Sequence, residues 1–177
     1  MKLIIATTAA MLALPSAAFA QAGPTSSATA NASADIVAPL HISCTNMHFA
    51  QLAPIHTATT VVLPAQGSPL GDPDNIVVPG TRSNAQPSNC QVTGETGLSF
   101  HVSLPTSATL THGSDSMTLD TFTISTDTDL DALNRVLEDD GSGGGLAGFG
   151  VGATLHVGGD QPAGLYSGPF TVSVQYN

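Results

Sequence analysis

Tryptophan is absent from this chain of 177 residues, and lysine and arginine together number 3 against 13 carboxylates. So few cations leave no basic footprint for a phosphate backbone, which argues against nucleic acid and anionic membrane as partners. Charged residues make up 9% and aromatics 5% of the chain. Scarce Lys and Glu remove two of the usual helix formers, and the aromatic shortage leaves little for an exposed sugar-stacking platform. After the first twenty residues no apolar run reaches the length of a bilayer span. Threonine, serine, glycine and valine are plentiful, the composition of an all-β protein.

The opening residues read as a signal for export. Met1 and Lys2 form a short positive region, Leu3 to Leu14 an apolar stretch, and Ala18-Phe19-Ala20 a small-residue cleavage site before Gln21. The expected product is exported to the periplasm, cell surface or exterior, with no membrane span once residues 1–20 are removed. Roughly 157 residues then remain, enough for one domain with a real core. Its two cysteines, Cys44 and Cys90, meet an oxidising compartment, where a disulfide is the expectation over two free thiols or half a metal site. Closing that loop would stabilise the fold by about 4 kcal/mol on chain-entropy grounds.

Residues 21–33 read as a small, polar, flexible leader, and 34–177 as a single β-sandwich domain. Within the leader, alanines stand at 28, 30, 32 and 34, and the alternation continues through Ile36, Ala38, Leu40 and Ile42. A first strand is therefore predicted from near Ala34 to Cys44. Further short apolar runs are predicted as strands at 47–52, 60–63, 75–78, 89–92, 98–104 and 108–111, separated by Pro and Gly breakers. Turns every eight to twelve residues describe a sandwich or barrel. Leu98, Phe100, Val102 and Leu104 share one face. Met117 and Leu119 have the opposite parity to Phe122 and Ile124, which predicts a bulge or break near Asp120-Thr121. Leucines at 130, 133 and 137 predict a short surface helix over 128–138. Gly141 to Gly150 reads as a glycine-rich loop before a strand at 153–157, a turn at Gly158-Gly159-Asp160 and a terminal hairpin arm.

The chain ends in its clearest strand. Phe170, Val172, Val174 and Tyr176 are apolar, and Thr171, Ser173, Gln175 and Asn177 between them are polar. A period of two places these sets on opposite faces.

Other motifs point to little chemistry. Asp127, Asp129, Asp131 and Glu138 fall at positions 1, 3, 5 and 12 of a calcium-loop template, but Ala132 stands where glycine is demanded. They form only a weak metal candidate. Gly143, Gly145 and Gly148 satisfy G-x-G-x-x-G without a βαβ unit around them, so no nucleotide cofactor is expected. His41, His48, His56, His101, His112 and His156 form no close metal-binding pair in sequence. No nucleophile elbow occurs, and the chain is not read as an enzyme.

The ending G-L-Y-S-G-P-F-T-V-S-V-Q-Y-N, the preceding V-G-A-T-L-H-V-G-G-D-Q-P-A and the early I-V-A-P-L-H-I-S-C resemble a bacterial family of secreted, pilin-like domains of unknown function. That family is related to spore coat protein U and, more distantly, to chaperone–usher pilus subunits. The resemblance covers roughly residues 35–177 and is strongest over the last thirty. It implies an immunoglobulin-like sandwich with an incomplete, exposed edge, filled by a periplasmic chaperone and then by the next subunit's N-terminal extension. Tyr176 and Gly164 stand where those subunits carry a penultimate tyrosine and a glycine fourteenth from the end. Gly164, Phe170, Val172, Val174 and Tyr176 are the implied partner-binding residues, and Cys44–Cys90 the implied staple of the first two core strands. The implied donor strand, carrying Ala28, Ala30, Ala32 and Ala34, departs from the large apolar residues typical of such a strand.

The function expected is that of a non-enzymatic structural or surface subunit acting by β-strand addition, with chaperone and usher or further copies of itself as partners. The alternative is a monomeric extracellular binding module, adhering through carbohydrate or calcium; Phe49, Phe149 and Tyr166 are the aromatic platforms it would use.

Overall fold

Ten strands, all antiparallel, build two sheets around a split core in this computed structural model, which describes residues 23, 26–66, 70–125 and 133–177. The strands are β1 (His41–Cys44), β2 (Thr59–Leu63), β3 (Ser88–Gly94), β4 (Ser99–Ser103), β5 (Ser107–His112), β6 (Asp115–Ile124), β7 (Asn134–Val136), β8 (Glu138–Asp139), β9 (Gly145–Val157) and β10 (Ser173–Tyr176). Among the described residues the only helical element is a 3-10 turn, Arg82–Asn84. The arrangement is an immunoglobulin-like sandwich.

The larger sheet has the order β1-β3-β9-β6-β5, and β2 and β8 also pair with β9. The smaller has the order β10-β4-β7. The long strand β9 organises the first. Its first half pairs with β3, from Gly145↔Gly94 to Val151↔Ser88, and its second half with β2, from Ala153↔Leu63 to Val157↔Thr59. Strand β6 holds the opposite edge.

Each half of β9 carries one core. Val61, Leu63, Ile76, Val77, Leu119, Leu155 and Val157 are buried around the second half, with Phe49. Cys90, Val92, Phe100, Val102, Leu137, Phe149 and Val151 are buried around the first. The predicted face of β4 is correct, with Phe100 and Val102 fully buried. The predicted bulge is also present: the register of β6 on β9 shifts between Asp120 and Thr123, and Thr121 takes φ 48°. That extra residue returns Phe122 and Ile124 to the inner face.

Several expectations are corrected. The glycine-rich segment is not a loop up to Gly150, because β9 begins at Gly145. A Cβ at Gly150 would overlap the Ala65 carbonyl oxygen, and one at Gly152 the backbone of Leu63 to Ala65. The chain leaving β2 crosses directly over the strand, and only glycine leaves room beneath it. The first strand starts at His41 rather than near Ala34. Pro39 has no N–H for a ladder, and the backbone of Ala38 is bonded by two side chains, those of Tyr176 and Glu95. No helix forms over 133–138; Asn134–Val136 and Glu138–Asp139 are strands, and residues 126–132 lie outside the described residues. Runs 47–52 and 75–78 are not strands but meet at an isolated bridge, Leu52↔Val77. The terminal strand pairs with β4, not in a hairpin with β9.

Residues 26–35 have no regular secondary structure and are exposed throughout. They belong to one compact unit, ending at Asp35, and the sandwich to another, from Ile36 to Asn177.

Candidate functional site: an uncharged groove beside the last strand

Strand β1 is short because the chain turns away after Cys44. Cys44 and Cys90 face each other in the β1–β3 register and form a disulfide, Cα to Cα 4.0 Å. Beyond it the segment bonds outward. Thr45 N–H donates to Asn89 O (2.9 Å), His48 exchanges bonds with Gln86 (2.9 and 2.8 Å), and Gln51 O accepts from Val78 N–H (2.9 Å). Ala50 takes φ 69°, and its N–H donates to His48 Nδ1 at 3.0 Å. This irregular chain, Ile42 to Leu52, is one wall of a groove.

The facing wall is Gln161 to Val172. It is held from behind by β5. Thr111 and Ser167 exchange backbone bonds of 2.9 and 3.2 Å, covering an edge that β5 would otherwise expose. Two glycines permit the approach: a Cβ at Gly168 would overlap the Thr109 carbonyl, and one at Gly164 the His112 ring. The His112 and Tyr166 rings meet at 5.4 Å, and Tyr166 Oη donates to Pro162 O at 2.9 Å. After Pro169 the chain passes to the other sheet as β10.

Between the walls lies a groove of about 1250 Å³. Its floor is core: Leu110, Met117, Leu119, Leu155 and Val157 all line it. No Asp, Glu, Lys or Arg is among its described lining residues, in a chain of net charge −10. No hydrogen bond joins the Ile42–Leu52 wall to the Gln161–Val172 wall among the described residues. Strand β10 pairs with β4 on one edge and, among the described residues, with no strand on the other.

Of the implied partner-binding residues, Gly164, Phe170 and Val172 line the groove. Val174 and Tyr176 lie beyond its end, half-buried against the second core cluster. The alternation read from sequence holds, since all four apolar side chains are half-buried and the polar ones exposed. Ala28, Ala30, Ala32 and Ala34 are exposed and belong to no strand. Asp127, Asp129 and Asp131 lie outside the described residues; Glu138 is exposed on β8. No group of three or more His, Cys, Asp or Glu is placed to hold a metal among the described residues. Two of the aromatics considered as platforms are core residues, Phe49 and Phe149 being 8% and 5% exposed.

Titration is perturbed away from the groove. The hydrogen bond from His156 holds the Asp120 carboxyl below the usual carboxylate range, against a smaller opposing effect of desolvation. Backbone N–H groups of Ser142 and Gly144 do the same for Asp140. Both arginines are engaged internally. Arg82 bonds Asp72 at 2.7 Å, and Arg135 bonds the carbonyls of Ser125 and Gly148 while lying over the Phe149 ring.

The chain matches the family described as Domain of unknown function (DUF4402) over residues 40–176. It belongs to that family. No curated protein and no solved structure matches it. The matched span of the DUF4402 domain runs from the start of the first strand to the penultimate Tyr176, so both groove walls lie inside it. The groove itself was hidden in sequence. Its first wall reads as strand at 47–52 but folds irregularly, and Gly164 and Gly168 of the second give no sign in sequence of the backbone they approach.

Proposed function

We propose that this DUF4402 protein is an exported, non-enzymatic structural or surface subunit that interacts by strand addition in the groove between Ile42–Leu52 and Gln161–Val172. The observation that carries the reading is an uncharged, core-floored groove whose second wall leads at Val172 into β10. An added strand would pair its backbone with the chain entering β10, residues 168–172, and set alternate side chains on Leu119, Leu155 and Val157. The reading extends the resemblance to spore coat protein U and to chaperone–usher subunits.

The occupant proposed is the leader of a second copy. Residues 21–34 carry no charge, which matches the groove and avoids repulsion between two strongly anionic chains. Alanines at 28, 30, 32 and 34 share one face, and Thr29, Asn31 and Ser33 the other. Four methyls contribute only about 3 kcal/mol of apolar burial, against roughly 9–18 kcal/mol for ordering nine residues. The contact is therefore weak and reversible, and backbone pairing dominates it. A strand with larger side chains, such as a periplasmic chaperone would supply, fills the groove better during export.

Light scattering after size exclusion tests this on the mature chain, residues 21–177. Concentration-dependent association is expected, lost on deleting residues 21–34. A strict monomer at millimolar concentration with either form would overturn self-association.

A further inference from the structure

The groove does not run the full length of its walls. All of Leu40, Ile42, Val172, Val174 and Tyr176 pack against the second core cluster, but only Ile42 and Val172 line the groove; the other three, one and two side-chain levels further along, do not. Strands β1 and β10 run in opposite directions and converge at this end. Three hydrogen bonds fasten them there. Tyr176 Oη donates to Ala38 O at 2.8 Å and accepts from Glu95 N–H at 2.8 Å, and Ala38 N–H donates to Glu95 Oε2 at 3.1 Å.

The ring joins three distant stretches: the stem before β1, the turn after β3 and the last strand. It also sits on a prepared surface. A Cβ at Gly94 would overlap the Tyr176 hydroxyl and press on Leu137 and Leu40. Glycine at 94 is what lets the phenol reach both backbone groups. Tyr176 thus spends its hydroxyl inside its own chain rather than offering it to a partner.

The geometry points to the Tyr176–Ala38–Glu95 ring as the register stop of the groove: it closes one end, so that an added strand seats from the wide end and halts at the Ile42–Val172 level. The assignment rests on the strand-acceptor reading above and makes Tyr176 a positioning residue for that strand. Side chains alternate with period two, so a fixed end fixes which residues of the occupant face the core. A groove open at both ends would accept several registers with little to choose between alanines at 28, 30, 32 and 34. Opening the ring would add one further pair of levels, at Leu40 and Val174.

The test uses the mature chain and a synthetic peptide of residues 24–35 carrying Ala30→Ile and Ala32→Ile, with hydrogen exchange as readout. In the wild type the peptide should protect residues 46–47 and 168–172 and leave 38–40 and 174–176 unchanged. Lengthening the peptide by an Ile-Thr pair at either end in turn should include one end at which affinity changes less than about twofold, because the stop blocks it. In Tyr176→Phe the protection should reach 174–176, and that longer peptide should bind about tenfold tighter, the worth of one additional buried aliphatic side chain. Wild-type protection already reaching Tyr176, or an unchanged footprint in Tyr176→Phe, overturns the stop and leaves the acceptor reading standing. No protection in either protein overturns both. Should Tyr176→Phe fail to fold, the peptide length series on the wild type decides alone: a tenfold gain at each end overturns the stop.

Discussion

Phe122 and Phe170 meet across the two sheets with ring centroids 5.4 Å apart and planes inclined by 37°. Phe122 reaches this position only because of the bulge in β6, and Phe170 only because Pro169 has carried the chain from the edge of β5 to the other sheet. The contact therefore joins the bulge of β6 to the chain entering β10.

Replacing Phe170 by Ala removes a half-buried ring and its aromatic partner. A loss of about 2 kcal/mol is expected from the lost burial and ring contact, measured as a lower urea midpoint with unchanged slope. A changed slope would show instead that the last strand had come away.

Glycines along β9 divide into two kinds. Gly150→Ala and Gly152→Ala force a methyl into the chain crossing above and should cost about 3 kcal/mol or prevent folding. Gly148→Ala meets only the Cys90 carbonyl at 3.9 Å and should be close to neutral. Thermal melts of the three variants give the comparison, and equal midpoints for all three would contradict the crossing.

The Cys44–Cys90 bridge closes 46 residues of chain. The double variant Cys44→Ser, Cys90→Ser should lose about 4 kcal/mol on chain-entropy grounds. Because β1 is a four-residue edge strand whose register begins at this bridge, hydrogen exchange should rise first at residues 41–47.

Acid should weaken the fold through Asp120 and Asp140. Their folded-state affinity for protons is lowered, so their stabilisation is complete above the unfolded value near 3.8 and is lost as pH falls through the lower folded values. Both carboxylates are solvated, so the effect is small. Stability measured from pH 5 down to pH 2 should fall less steeply in Asp120→Ala, Asp140→Ala than in the parent.

Much of the sandwich was legible in sequence. The alternation at Phe170–Tyr176, the parity change across Asp120–Thr121 and the cysteine pair each carry a local signal with one physical reading. What was missed depends on distant partners. Gly145–Gly152 looks like a loop until residues 63–65 lie across it. Ala34–Leu40 looks like a strand until side chains at 95 and 176 take the bonds of Ala38. The first groove wall, read as a strand at 47–52, is irregular because its bonds go to residues 76–89, outside any regular ladder.

Arg82 and Arg135 are both bonded within the fold, and the 13 carboxylates of the chain far outnumber its cations. Copies of this domain must approach each other against a mutual field that dissolved ions shorten to about 10 Å at 0.1 M. The self-association proposed above should therefore be strengthened, not weakened, by added sodium chloride.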